Sequence, residues 1–159
     1  MRVLHVSQRY LPARGGAEEL LAHISRHLAR AGHSVTVLTT DAFDIDLFWN
    51  PAGRRIAERE GEIDGVRVLR FPVRHLPAAA LSYAGIRRLL WLSSFLGLPV
   101  SWAQAAARLT PHVPDLAQWL EETPERFDIV GTTTICFEGL ISLGAQFARR
   151  TSAPHLVYP

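Results

Sequence analysis

The chain has 159 residues, 48% of them hydrophobic and 20% charged, and carries a formal net charge of +2. These values indicate one globular domain with a real core. The basic residues other than histidine are all arginines and are dispersed, so composition gives no sign of nucleic-acid binding. A single cysteine, Cys136, excludes an intrachain disulfide, fits a reducing compartment and is interpreted as a small buried hydrophobe.

The first 38 residues predict a strand, a helix and a second strand. Val3 to Val6 is short, apolar and β-branched, as expected of a strand buried on both faces of a parallel sheet. Gly32 is placed to stop the helix in the left-handed conformation, and the β-branched run from Ser34 to Leu38 follows it. The predicted apolar stripe of the helix is Ala17, Leu20, Leu21, Ile24, Leu28 and Ala31, with Glu18, Glu19, Arg26 and Arg30 on the other side.

The loop from Gln8 to Gly16 is longer than most strand-to-helix connections, which indicates either disorder or function. Gly15 and Gly16 at the helix start allow another group to approach the backbone closely, and the free N–H groups of the first turn favour an anion such as a phosphate. Alternatively, the glycines only turn the chain, and Glu18 and Glu19 supply the negative charge that the dipole favours. The residues alone leave both interpretations open.

The middle of the chain predicts an irregular excursion followed by another strand. Residues 40–60 lose periodicity and carry Pro51 and Gly53, so we expect a long functional or mobile loop. Asp64-Gly65 predicts a tight turn that leads into a strand over residues 66–71.

Three helices are predicted next. The first covers residues 81–96 and has a wide apolar face, for which core packing is the favoured interpretation. The alternative is an interfacial helix whose arginines meet lipid phosphates while Trp91 and Phe95 enter the headgroup layer. Arg87 and Arg88 make a membrane-spanning helix a poor interpretation. Short helices are predicted over residues 103–110 and 114–122.

A second strand, helix and strand unit closes the sequence. It is predicted as a strand over 127–130, a polar loop over 131–137, a helix over 138–150 and a strand over 155–158. The sequence stops directly after that strand, so we expect a fragment of a larger enzyme. The predicted fold class is therefore α/β, a Rossmann-like three-layer sandwich with a mainly parallel sheet.

Several segments resemble the N-terminal half of retaining glycosyltransferases of family four. They are SQRYLPARGGAEE with LAHISRHLARAGHSVTVLTT, then DGVRVLRFP, FDIV and APHLVYP. The resemblance implies one half of the GT-B architecture, in which two Rossmann-like domains face each other across a cleft. Residues 1–159 would form the N-terminal, acceptor-side domain, and the donor-binding C-terminal domain would be absent.

The resemblance assigns candidate roles to the opening loop. Gly15 and Gly16 match the loop whose backbone N–H groups approach the donor diphosphate. Arg9, Tyr10 and Arg14 share that loop and are acceptor-side candidates.

One position departs from the family's pattern. Such enzymes often carry a histidine after the FDIV-like strand, and here Thr133 stands in its place. A hydroxyl can hydrogen-bond a sugar but is neither a cation nor a strong base near neutral pH. Thr133 and Thr134 are therefore acceptor-side candidates, and the catalytic residues stay unassigned.

The resemblance implies transfer of a hexosyl group from a nucleotide-sugar to a sugar or lipid-linked acceptor, without a cofactor or metal and in partnership with the chain's own C-terminal domain. We expect a cytoplasmic protein, since no targeting segment is visible, with possible peripheral membrane contact through residues 81–96. The isolated domain is expected to be inactive. The alternative is a free-standing Rossmann-like module that binds a phosphorylated ligand.

Two possible metal motifs are interpreted as ordinary polar surface. Asp44 and Asp46 form a D-x-D pattern, but they fall in the irregular excursion, where a solvated acidic loop is the better interpretation. His23 and His27 lie one helical turn apart without an evident third ligand.

Overall fold

The computed structural model describes residues 1–133 and 137–158. It contains one six-stranded sheet with the strand order β3-β4-β2-β1-β5-β6, in which the antiparallel β3–β4 pair is the exception to parallel pairing. The elements in chain order are β1 Arg2–Val6, α1 Gly16–Arg30, β2 Ser34–Thr40, a 3-10 turn Ile45–Phe48, β3 Glu60–Ile63, β4 Val66–Phe71, α2 Ala79–Phe95, α3 Val100–Ala107, α4 Pro114–Glu122, β5 Ile129–Thr133, α5 Glu138–Thr151 and β6 His155–Tyr158.

Helices cover both faces of the sheet, which confirms the predicted three-layer α/β class. On one face, Leu21 and Ala22 of α1 pack with alternate residues of β1, β2 and β4, such as Val3 and Val37. On the other face, the apolar side chains of α4 and α5 pack against the intervening strand residues, among them Leu4. Because side chains alternate across a strand, each central strand contributes to both cores.

The predicted chain reversals are confirmed where glycine allows them. Gly32 has a φ of 84°, directly after α1. Asp64 and Gly65 have φ values of 54° and 78°, and they join β3 to β4. Two successive positive φ values are the signature of the hairpin turn that the Asp-Gly pair predicts.

Three local predictions were wrong. Glu18 is buried at 2% exposure, whereas Leu20 of the predicted apolar stripe is 43% exposed. The stripe is rotated because Glu18 finds ion-pair and amide partners in the preceding loop. Strand β3 was missed, since its sequence EGEI has little β-propensity and it pairs only as an edge strand. Residues 131–133 belong to β5 and not to the predicted polar loop.

Core packing was also the wrong interpretation for α2. Among its described side chains Ser93 is the buried one, and Trp91 and Phe95 are 57% and 77% exposed. The helix contacts α3, and its Tyr83 ring lies against Trp49, but most of its apolar side chains stay exposed. Within the described residues, no helix is long and apolar enough to cross a membrane.

A buried histidine lies in the middle of the sheet. His5 of β1 is fully buried, and its Nδ1 lies 2.9 Å from the Ser25 hydroxyl of α1. A Cβ on Gly131 of β5 would come within 2.7 Å of the His5 ring, so glycine is needed there to accommodate the imidazole. Burial lowers the pKa of His5 from 6.5 to about 4.

This pKa predicts that acid destabilises the fold. Below pH 6.5 the unfolded chain takes up a proton on residue 5 that folded His5 refuses until about pH 4, so stability falls across that window. The loss from this group is on the order of 3 kcal/mol. Urea unfolding at pH 7 and pH 4.5 should show a smaller acid loss for His5→Gln. His23→Gln, on the exposed face of α1, should keep the full loss; equal losses in both variants would contradict the assignment.

Candidate functional site at the switch point of the sheet

The candidate site lies where the strand order reverses. From β1 the chain proceeds outward to β2 and β4 on one side, and β5 and β6 occupy the other side. In open α/β sheets, ligands bind outside the carboxyl ends of the strands at such a switch point. The hydroxyl of Thr133, at the end of β5, donates to the Ser7 hydroxyl at 2.9 Å, which joins the two strand ends directly.

The loop after β1 is held by side chains of β2 and β4 and by one of its own arginines. Thr40, at the end of β2, donates its hydroxyl hydrogen to the Gln8 carbonyl at 2.5 Å. Arg70 of β4 donates through Nη2 to the Leu11 carbonyl at 2.8 Å, and Arg9 donates to the Phe43 carbonyl at 3.1 Å. These bonds satisfy backbone carbonyls of an irregular segment, so the loop has a defined shape without a ligand.

Arg70, which donates a hydrogen bond to the loop, is itself buried. Its side chain is 1% exposed, and burial lowers the pKa of its guanidinium. Glu58 lies 3.6 Å from Nη1, while Nε has no hydrogen-bond partner among the described residues. Burying a guanidinium costs desolvation free energy. The hydrogen bond from Arg70 to the loop therefore has to offset that cost.

A second buried charge pair closes the loop on the helix. Arg9 Nε donates to Glu18 Oε1 at 3.0 Å, with side-chain exposures of 12% and 3%, and Gln8 Nε2 donates to the same oxygen at 3.3 Å. Glu18 lies in the first turn of α1, where the helix dipole favours negative charge. The guanidinium of Arg9 compensates the charge of this carboxylate.

The two glycines have different surroundings. A Cβ on Gly15 would lie 2.2 Å from Glu18 Oε2 and 3.2 Å from Arg9 Nη2, so this glycine makes room for the ion pair. A Cβ on Gly16 would meet nothing within 4 Å. The first intrahelical bond runs from the Glu19 N–H to the Gly15 carbonyl, so the N–H groups of residues 16–18 precede it. Gly16 therefore borders open space, and its backbone is accessible from outside the loop.

The other predicted loop residues fall in contrasting places. Arg14 is exposed, and its guanidinium lies 3.9 Å from the half-exposed carboxylate of Glu19. Tyr10 is 1% exposed and packs in the core under α1, where burial raises its pKa. Its ring anchors the loop rather than facing the open side. Thr133 is 3% exposed and hydrogen-bonded to Ser7, and Thr134 lies outside the described residues, as does Cys136.

Most of the groups that hold the loop of the candidate site are not among the residues predicted from the sequence. Glu18, Thr40 and Arg70 were not assigned to it, although Glu18 follows the glycine pair by two residues. A charge inside an otherwise apolar strand, as Arg70 is within β4, was the available signal.

The possible metal motifs do not come together as sites. Arg54 holds the Asp44 carboxylate through two hydrogen bonds of 2.6 and 2.7 Å, and these bonds lower the pKa of Asp44. His23 and His27 are exposed on α1. Residues 1–133 and 137–158 contain no group of three potential metal ligands.

Fold and loop together define a Rossmann-like α/β protein with a candidate ligand site at the switch point of the sheet. Residues 15–159 match the model of the glycosyl transferase 4-like domain. The chain belongs to this family, which confirms the resemblance. The match begins at Gly15, so both glycines fall inside it, whereas Arg9 and Arg14 precede it. A search of curated proteins gives no match.

Removing the charge of Glu18 should destabilise the protein because it leaves Arg9 buried without a counter-charge. We expect Glu18→Gln to lower the free energy of unfolding by about 3 kcal/mol in urea titrations at pH 7. Glu19→Gln, which affects the exposed pair with Arg14, is the matched control and should cost close to nothing. Equal losses in the two variants would show that the Arg9–Glu18 pair does not hold the loop.

Proposed function

We propose that this domain is the N-terminal, acceptor-side half of a glycosyltransferase that transfers a hexosyl group from a nucleotide-sugar with retention of anomeric configuration. Family membership supports the transferase class. The observation that carries the proposal is the open approach to Gly16 at the switch point, within the matched residues. A diphosphate oxygen is small enough to approach a backbone there that lacks a Cβ.

The role we assign to this chain is stabilisation of the leaving diphosphate. Negative charge on the diphosphate grows as the glycosidic bond breaks. The N–H of Gly16 and the positive end of the α1 dipole then interact more strongly with the transition state than with the donor. Because Arg9 neutralises Glu18, that carboxylate does not cancel the attraction. The remaining charge would be balanced by basic residues of a C-terminal domain, without a metal or cofactor.

On the acceptor side we assign Arg14, Thr133 and Thr134, with Arg9 acting through Glu18 to fix the loop. Arg14 is the most accessible cation of the loop, with a side chain that is 83% exposed. The acceptor would be a sugar or a lipid-linked sugar. We place the protein in the cytoplasm, with peripheral membrane contact through residues 81–96.

Replacing Gly16 by leucine should lower the transfer rate of the enzyme that carries this domain. The side chain would fill the open space that the diphosphate needs, so we expect a loss of at least tenfold in kcat/KM, equivalent to about 1.4 kcal/mol. The measurement is product formation by mass spectrometry with a panel of nucleoside-diphosphate sugars.

Arg30→Leu is the control because it adds a leucine at the exposed last residue of the same helix, away from the loop and from residues 81–96. Its transfer rate should stay at the wild-type value, and both variants should unfold at wild-type urea concentrations. A Gly16→Leu enzyme with normal turnover would refute the proposed diphosphate contact.

A free-standing binding module for a phosphorylated ligand is the second candidate, and the ligand-independent shape of the loop favours it. Calorimetry of the 159-residue chain with inorganic pyrophosphate and nucleoside diphosphates separates the two. The transferase proposal expects dissociation constants on the order of 1 mM or weaker, because only one side of the diphosphate is contacted. Micromolar binding would support the module instead.

A further inference from the structure

An unusually apolar surface lies on the pair of helices α2 and α3. We name residues 79–107, which comprise α2, the connecting turn and α3, the α2–α3 hairpin. The described residues include fourteen large hydrophobic side chains that are exposed, and nine of them belong to this hairpin. They are Leu81, Leu89, Trp91, Leu92, Phe95, Leu96, Leu98, Val100 and Trp102.

These side chains form a continuous surface. Leu81, Arg88, Trp91 and Phe95 follow each other on α2 at spacings of seven, three and four residues, which places them on one side of the helix. The rings of Trp91 and Phe95 are 5.2 Å apart between centroids, and the Arg88 guanidinium lies 5.7 Å from the Trp91 centroid. Residues 94–102, at the turn, are all exposed and extend the surface to Trp102.

The charge of this region is entirely positive. The hairpin has no acidic residue, and its two charged residues are Arg87 and Arg88. Arg87 is paired with Glu138 of α5 at 2.5 Å, whereas Arg88 is exposed and has no acidic partner among the described residues. The apolar surface is thus accompanied by a cation that is available to an external anion.

We propose that the α2–α3 hairpin docks the protein on an anionic lipid bilayer, with Trp91, Phe95 and Trp102 in the headgroup layer and Arg88 on lipid phosphate. This docking rests on the proposed function, which includes membrane contact through residues 81–96. It adds two features, the turn between α2 and α3 and the requirement for anionic lipid. Aromatic side chains favour the interface between headgroups and acyl chains, and an arginine near it gains about 1 kcal/mol from anionic lipid.

A second copy of the chain fits this surface less well. In a symmetric dimer the same patch would face itself, so Arg88 would approach its own counterpart without an acidic group from either hairpin. Charged groups are depleted from the cores of protein interfaces, whereas arginine and tryptophan together are typical of interfacial helices. Charge complementarity therefore favours lipid over a copy of the chain.

Docking would also orient the candidate site. The Arg87–Glu138 pair connects α2 to the first residue of α5, which starts beyond the carboxyl end of β5. A hairpin held in the headgroup layer therefore keeps that edge of the sheet close to the membrane surface. Of the two acceptors proposed above, a sugar and a lipid-linked sugar, this arrangement favours the lipid-linked sugar.

The test is co-sedimentation of the 159-residue chain with vesicles of phosphatidylcholine alone or with about a third phosphatidylglycerol. We expect binding to the anionic vesicles, a weaker interaction at high salt, and a blue shift of tryptophan fluorescence on binding. No sedimentation with anionic vesicles would overturn the proposal. Sugar transfer is not measured here, so that result would leave the proposed activity standing.

Two variants locate the contact. Trp91→Ser with Phe95→Ser should lower the partition coefficient at least tenfold, and Arg88→Glu should remove the preference for anionic vesicles. The matched controls Leu156→Ser and Arg30→Glu change exposed side chains outside the hairpin and should bind as the wild type does. Unchanged binding by both hairpin variants would refute the assignment, as would a wild-type dimer in light scattering that Trp91→Ser with Phe95→Ser converts to a monomer.

Discussion

The ion pair between Arg9 and Glu18 is the interaction on which the site depends. It places a carboxylate in the first turn of α1 and compensates it with a guanidinium from the preceding loop. Without the arginine, the carboxylate would repel any anion that approaches the helix start. Without the carboxylate, the arginine would be buried at an energetic cost. Gly15 has no side chain because the pair fills that space, and Gly16 is left facing solvent.

The pair also reconciles the two interpretations that the sequence left open for the glycine loop. Glu18 lies in the first turn, where the helix dipole favours a carboxylate, and the backbone of Gly16 still borders open space, so the two interpretations do not exclude each other. Thr40 and Arg70 then fix the loop from β2 and β4. A loop held in this way would lose little conformational entropy when a ligand binds. Such a preorganised loop suits the proposed electrostatic stabilisation of the leaving diphosphate better than it suits induced fit.

The sequence predicted the fold well because long apolar periods and glycine turns are local signals. The two strand, helix and strand units, the Gly32 stop and the Asp64-Gly65 turn all follow from spacing and backbone freedom. The failures at Glu18, β3 and α2 share a cause: each depends on partners outside its own segment, which the periodicity of that segment does not reveal. Glu18 is buried because Arg9 reaches it, and β3 forms because β4 offers an edge. At the candidate site, the glycine pair was predicted from the sequence, whereas the buried groups that hold the loop were not.

Helix α2 is exposed because few residues of the described chain pack against it. Its apolar residues occupy every side of the helix, so the contacts that it makes with the rest of the described chain do not cover them all. Tyr83 packs towards Trp49, and Arg87 reaches α5, while the face with Arg88 and Trp91 is left uncovered. Exposing an apolar patch of this kind to water is unfavourable. An anionic bilayer offers an apolar interior to the aromatic rings and anionic headgroups to the arginine. Fold, charge and exposure thus lead to the same surface for membrane contact.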